Sequence, residues 1–427
     1  MSRAITISAI ASNQGKTILT TALLWHFRDS VRAFKIGPDF IDPQFHKQVS
    51  NSPSINLDSF IMSSEQVKWI YNHYADKDIS IVEGVMGFYD GEDRGCSAYS
   101  ISKLLSIPTI IVIDGSGSYI TISAILKGLL EYKKENTIRA IVLNKLSSKS
   151  HYELIKKQIE QDHPQIATLG WIGKNLSTLK DTHLGLDLKD LDKIASISKE
   201  VLTNIDLATL DKIASSAKEV KVPSDYPFKP IKRYNRHLSI VYDENFSFLY
   251  HDNLIFLKEM FQKVSIIDST KDEAIPSDCD IVYIVGGYVE TPSSYKRVKN
   301  SDRFKNSLIA HSKRGGGIYA ECAGLLYLAK RVDDKEMSGI LDIDFTLSNR
   351  FVRLGYYYNQ QGVKGHAFHY TKPTTQTLKK GFDILQKRPS LKGEVASWQD
   401  GKVFGTYLHT MFRAYPNQFH SQLFNLT

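Results

Sequence analysis

The sequence predicts an α/β protein of two parallel-sheet domains, and three observations carry that prediction. ITISAI (5–10), ASNQGKT (11–17) and ILTTALLWHF (18–27) read in succession as a buried-type strand, a polar turn and an amphipathic helix. Apolar strand segments then alternate with helical patterns as far as residue 148 and resume after residue 237, the order that generates a parallel sheet covered by helices. Between the two series, VPSDYPFKPIKRYNR (222–236), with three prolines and several charges, reads as a linker. The expected domains are 1–221 and 237–427, each long enough for its own core.

Composition narrows the classes of function. With 42% apolar and 23% charged residues the chain reads as soluble and globular. No segment reaches about 18 uninterrupted apolar residues, and no basic leader precedes an apolar run, so the expected compartment is the cytoplasm, without a membrane partner. Cys96, Cys279 and Cys322 are too few and too far apart for a disulfide framework or a metal knuckle. The net charge of +8 comes from scattered lysines, not a basic arm, which points away from nucleic acid and toward small anions such as phosphates and polycarboxylates.

In the first half, the turn ending Gly15-Lys16-Thr17 between strand and helix makes a phosphate cradle. Backbone N–H groups and Lys16 would hold phosphates, and the Thr17 hydroxyl would coordinate Mg²⁺. Ile10 stands where the P-loop pattern has its first glycine. RAFKIGPDFIDPQFH (32–46) holds the strand Arg32–Ile36 and a turn bearing Asp39 and Asp42. ISIVEGVMGFYDG (79–91) repeats that design, with Glu83 at a strand end and Asp90 in the loop beyond. The carboxyl ends of parallel strands share one rim, so Lys16, Asp39, Glu83 and Asp90 should line one crevice. Acids on such a rim can hold Mg²⁺ against a triphosphate. IPTIIVIDGSGS (107–118), a helix over 120–132 and IRAIVLNKLSS (138–148) continue the series. Asn144, at the end of that last strand, either reads an adenine edge or caps the strand. DLKDLDKIASISKEV (187–201) and DLATLDKIASSAKEV (206–220) are nearly one phrase, read as two packing helices without chemistry.

In the second half, LSIVYDENFSF (238–248) reads as a strand and turn, followed by a helix from about residue 253 to 262. GGGIYAECAGLLYLAKR (315–331) puts Cys322 between a strand, Ile318–Ala320, and a helix. The helix dipole should lower the thiol pKa there, and the Ala323 N–H offers half of an oxyanion hole. DIVYIVGGYVE (280–290) offers Gly286 and Gly287 for the other N–H, and His409, after the strand Val403–Leu408, offers a base. The segment 349–370 is rich in aromatics and carries Arg350, Arg353, His366 and His369. No acid or cysteine stands beside the two histidines at ligand spacing, so a flat anionic ligand is expected there in preference to a metal.

That order of oxyanion loop, strand-Cys-helix and strand-borne histidine resembles the triad-type glutamine amidotransferase domain, which hydrolyses glutamine through a cysteine thioester and releases ammonia. Met411 occupies the position of the usual glutamate, so a Cys322–His409 dyad is expected and no third member is assigned. Over nearly the whole chain, FKIGPDFIDP, EGVMGFYDG, HLGL (183–186), DENFSFLY, GGYVE, YAECAGLLYL and GHAFHY resemble the cobyrinate a,c-diamide synthase family. The resemblance implies a dethiobiotin-synthetase-like first domain, a glutaminase second domain, and ATP, Mg²⁺, L-glutamine and an anionic tetrapyrrole as ligands. It implies that Gly15, Lys16 and Thr17 bind triphosphate, that Thr17, Asp39 and Glu83 serve the metal, and that Asp90 lies near the reacting carboxylates. Cys322 would be the nucleophile, His409 its base, and Gly287 and Ala323 the oxyanion donors. The family's usual pattern is broken at Ala9, Asn13, Val285, Val289, Ala323 and Ala367. Hydrogenobyrinate and nickel-sirohydrochlorin are alternative rings, a P-loop ATPase switch with a glutamine-sensing domain is the alternative of another class, and a homodimer is compatible with the reading.

Overall fold

A computed structural model describes residues 3–176, 190–222, 224–376, 384–389 and 391–417. HLGL (183–186) and the first three residues of the earlier repeated phrase lie outside them. The chain divides into two compact units, one ending at Pro227 and the other beginning at Phe228.

In the first unit seven strands form one sheet: β1 (Arg3–Ala9), β2 (Val31–Ile36), β3 (Ile55–Leu57), β4 (Ile79–Glu83), β5 (Thr109–Asp114), β6 (Ile138–Leu146) and β7 (Ala167–Gly173). Their order is β3-β2-β4-β1-β5-β6-β7, and every pairing is parallel. The strands are buried nearly without interruption because helices cover both faces. The chain winds outward on one side of β1 and then crosses to the other, so the ends of β1, β4 and β5 share the rim where α/β sheets bind ligands. Helices α1 (Lys16–His26) and α2 (Ile41–Ser50) start at that rim. The repeated phrases form helices, Leu191–Leu202 and Leu207–Ser215; the first packs on α1, the second against β1 and β7.

The second unit has a six-stranded sheet containing β8 (Tyr234–Val241), β10 (Phe261–Ile267), β11 (Ile281–Ile284) and β13 (Gly317–Glu321), ordered β10-β8-β11-β13 and then Val403–Thr406 and Ser397–Asp400. Only the last pair is antiparallel. Two short strands, β9 (Phe246–Phe248) and β12 (Gly286–Gly287), form a separate ladder. The helix expected over 253–262 instead spans His251–Met260, because Phe261 onward joins the sheet beside β8. Its core includes Tyr283, Tyr319, Phe304, Phe345, Trp398 and Tyr407. Among the described residues no helix is long and apolar enough to cross a membrane.

Candidate active site

The turn after β1 is held open by its neighbours. Gly15 takes φ +100°, and a Cβ there would lie 2.1 Å from Nδ2 of Asn144, so glycine is required twice over. Asn13 also lies in the left-handed region, with φ 62°, which asparagine tolerates better than most residues, and this accommodates the missing family glycine. Asn144 donates from Nδ2 to the Gln14 carbonyl at 2.8 Å and accepts from the Lys145 N–H at 2.8 Å. Its amide thus ties the phosphate-cradle turn to the end of β6. Lys145 pairs with Asp114 at 2.6 Å and braces the loop from the same side.

Lys16, nearly buried, donates to the carbonyls of Ala11 and Met86. Burial and the nearby Lys35 ammonium lower its pKa, while Glu83, Asp42 and Asp90 act the other way. Lys16, Lys35, Asp42, Glu83 and Asp90 thus lie within electrostatic reach of one another. Among them Glu83, fully buried, accepts from the Thr17 hydroxyl at 2.9 Å and contacts His46 Nε2 at 2.6 Å. Burial alone would raise the Glu83 carboxyl; Lys35, His46 and Thr17 outweigh it and hold the group below the ordinary carboxylate range. Lys35 pairs with Asp42 and lies 3.7 Å from both Glu83 Oε1 and Asp39 Oδ2. Burial disfavours that ammonium, yet the acids around it raise its pKa. Asp42 is raised by burial and by Glu83.

Of the three expected metal donors, Thr17 and Glu83 adjoin, and Asp39 stands across Lys35 from Glu83. Its Oδ1 accepts the Ile41 and Asp42 N–H groups at the start of α2, and its Oδ2 faces Lys35. Among the described residues no three His, Cys, Asp or Glu side chains are grouped as a metal cage. A hydroxyl backed by a carboxylate suits a hard ion that takes its other ligands from phosphate oxygens and water, so Mg²⁺ fits at Thr17. Asp90 is exposed on the rim and accepts the Gly87 N–H at 2.7 Å. Lys35 and His46 escaped the sequence reading; a lysine inside a strand with buried-type apolar neighbours, Phe34 and Ile36, was the available signal for the first.

In the second unit the chain turns sharply at Cys322, with φ 47° and ψ −105°, between β13 and the helix Ala323–Leu328. The Cys322 N–H donates to the Thr406 carbonyl at 2.8 Å, which ties the elbow to the strand leading to His409. Gly287, at φ +152°, packs so closely on Asn245 that a Cβ would lie 2.0 Å from its carbonyl oxygen. This brings the Gly287 N–H to the same sulfur that the Ala323 N–H reaches, and both favour the thiolate. They do not win. Burial and then Glu290 push the thiol up to about 12, contrary to the dipole-lowered value expected from the sequence. The helix is only six residues long and the sulfur is buried, so desolvation exceeds the dipole.

His409 packs on the Gly286 turn, where an added Cβ would lie 2.5 Å from its Cε1. Burial lowers its imidazole to about 3. Met411 supplies no partner, but Glu321, immediately before the nucleophile, contacts His409 Nδ1 through Oε2 at 2.8 Å. Burial pushes the Glu321 carboxyl far up, against the Tyr283 and Tyr319 hydroxyls. His366 exchanges backbone hydrogen bonds with His409 at 2.9 Å each. His369 stacks on Tyr407, with ring centroids 3.6 Å apart, and faces buried Arg353 at 3.2 Å. Arg353, His366 and His369 are thus buried and held by neighbouring groups, whereas Arg350, Phe351, Phe368 and Tyr370 of the same segment are exposed. Ala367, where a glutamate is usual, is fully buried in the core.

Residues 237–416 match the CobB/CobQ-like glutamine amidotransferase domain. The cobyrinate a,c-diamide synthase of Saccharolobus solfataricus is 34% identical, over 96% of this chain and 97% of its own. That of Fusobacterium nucleatum is 33% identical over 96% and 97%, and that of Caldanaerobacter subterraneus 31% identical over 94% and 93%. The chain belongs to the cobyrinate a,c-diamide synthase family. Like its family it is a glutamine amidotransferase ligase, with the amidotransferase half in the second unit and a P-loop α/β half before it.

Proposed function

We propose that this chain amidates the a and c acetate carboxylates of cobyrinate, using ATP and glutamine, as an enzyme of corrin biosynthesis working in the cytoplasm. One observation supports the reading above others: a phosphate cradle set on a lysine-acid cluster and a thiol flanked by two backbone donors occur in one chain.

In the second unit the Cys322 sulfur attacks the carboxamide carbon of glutamine and its proton passes to Nε2 of His409. The Gly287 and Ala323 N–H groups receive the oxyanion. As the C–N bond breaks, His409 returns the proton to the departing nitrogen and ammonia leaves. Water then cleaves the thioester to glutamate and restores the thiol. In the first unit a carboxylate oxygen of the ring takes the γ-phosphoryl group of ATP, and ADP departs. Lys16 and the Gly15 turn hold the phosphates, Lys35 offers a buried positive charge, and Asp90 positions the acceptor. Mg²⁺, held at Thr17 with Glu83 behind it, would neutralise phosphate charge. Ammonia attacks the acyl phosphate, inorganic phosphate leaves, and the amide remains. Direct attack on a carboxylate would require oxide as leaving group, so activation comes first.

Incubation of cobyrinate, hydrogenobyrinate or nickel-sirohydrochlorin with ATP, Mg²⁺ and glutamine, followed by mass spectrometry, tests the reading. Two oxygen-to-nitrogen exchanges on cobyrinate are expected, with one heavy-oxygen label per amide passing from labelled carboxylates into phosphate. Label in AMP overturns the acyl-phosphate route, and glutamine binding without glutamate release favours the sensing alternative.

A further inference from the structure

Glu321 ends β13 and pairs in register with Thr406, three residues before His409, so the topology alone brings its side chain under the imidazole. The sharp turn at Cys322 sends the next side chain elsewhere, into the pocket lined by the Gly287 and Ala323 donors. Consecutive residues therefore reach the same reaction from two sides. Glu321 is nearly all buried and its Oε2 lies 2.8 Å from His409 Nδ1. The nearest tyrosines, Tyr283 and Tyr319, are themselves buried in the core.

We propose that Glu321 is the positioning residue of the glutaminase site: it accepts the Nδ1–H of His409, fixes the tautomer with Nε2 unprotonated, and so completes a Cys322–His409–Glu321 relay from within the nucleophile's own strand. This rests on the glutaminase reading given above. The acceptor works whether the carboxyl is neutral or ionised, since either form offers an oxygen lone pair to Nδ1–H. When the thiol proton arrives at Nε2, the imidazolium forms against an oxygen already in place, and the proton leaves again with the ammonia. The glutamate usually found two residues after the histidine is then unnecessary, and Met411 is free to be apolar.

The test uses the full-length enzyme labelled with ¹⁵N-histidine. The His409 resonance, assigned by its loss in His409→Gln, should show a protonated Nδ1 and an unprotonated Nε2 in the wild type; the opposite tautomer overturns the proposal and needs no variant of Glu321. In Glu321→Gln, whose amide can donate to Nδ1 and favour the wrong tautomer, kcat for glutamate release should fall about 10³-fold. The KM for glutamine and the amidation rate with ammonium salt should stay near wild type. A kcat within about threefold of wild type, or equal loss of the ammonia-driven rate, overturns it. Absence of glutamate release by the wild type would sink the glutaminase reading instead, whereas undiminished release by Glu321→Gln would sink only the role given to Glu321.

Discussion

Around Lys16 the first unit gathers Lys35, Asp39, Asp42 and Glu83, among which Lys35 and Glu83 hold each other in the charged form, while around Cys322 the second unit buries a thiol, an imidazole and a carboxyl and drives each toward its neutral form. The contrast follows from what each meets. A triphosphate arrives fully charged, and a site that offers fixed charge and dipoles to it reorganises little during transfer. Glutamine presents a neutral amide, and charge develops only as the sulfur attacks. A buried thiol that stays protonated at rest also resists stray oxidation and alkylation.

The largest effect that would sharpen this contrast comes from Cys322→Ala. Glutamine-driven amidation should fall about 10⁴-fold or more, the scale for removal of a nucleophile, while ammonia-driven amidation persists, both read as amide formed with each nitrogen source. Loss of both in a folded variant would break the separation of the two chemistries. Lys16→Ala should lower both rates together by about 10²–10³-fold, because it removes a charge on the transferring phosphoryl group. Retention of the ammonia-driven rate would show that the cradle does not serve amidation.

Glu83→Ala should destabilise the first unit by about 3 kcal/mol in denaturant unfolding, since Lys35 loses one partner of a buried network but keeps Asp42. The last effect is graded and concerns acid. Burial and then Arg353 lower His369 to about 3, so below its ordinary value the unfolded chain binds a proton that the folded chain refuses. Stability should therefore drop as pH falls from 6.5 toward 3, by up to about 1.4 kcal/mol per pH unit from this group. Glu83, held below its ordinary 4.5, keeps its contribution until the pH passes beneath that value. Hydrogen exchange, corrected for intrinsic rates, should show β13 weakening at a higher pH than β4, and His369→Phe should remove that part of the slope.

Much was legible without coordinates. The strand-turn-helix at Gly15-Lys16-Thr17 and the strand-elbow-helix at Cys322 are local, and local backbone geometry follows from residue type: glycine where φ is positive, apolar runs where a strand is covered on both faces. Lys16, Gly287, Cys322 and Ala323 could be placed in their turns for that reason. The sign of the Cys322 shift could not be read that way, because desolvation depends on how deeply the rest of the unit covers the sulfur. Nor could the employment of Asn144 by the loop before it, or the pairing of Lys35 with acids on two other elements.

The repeated phrase marks the boundary between the two kinds of knowledge. LDKIAS occurs at 191–196 and again at 210–215, and by propensity each copy is helix, as each proves to be. Yet the first copy buries Ile194 and leaves Leu191 exposed, whereas the second buries Leu210 and leaves Ile213 only partly covered. Helix formation is decided along the chain, over a few residues, and identical words give identical answers. Which face turns inward is decided by the neighbour: one helix lies on α1, the other against β1 and β7. The same rule separates His409 from its partner, for a strand-borne histidine can be read from the sequence, but Glu321 meets it only because β13 and Val403–Thr406 lie side by side in register.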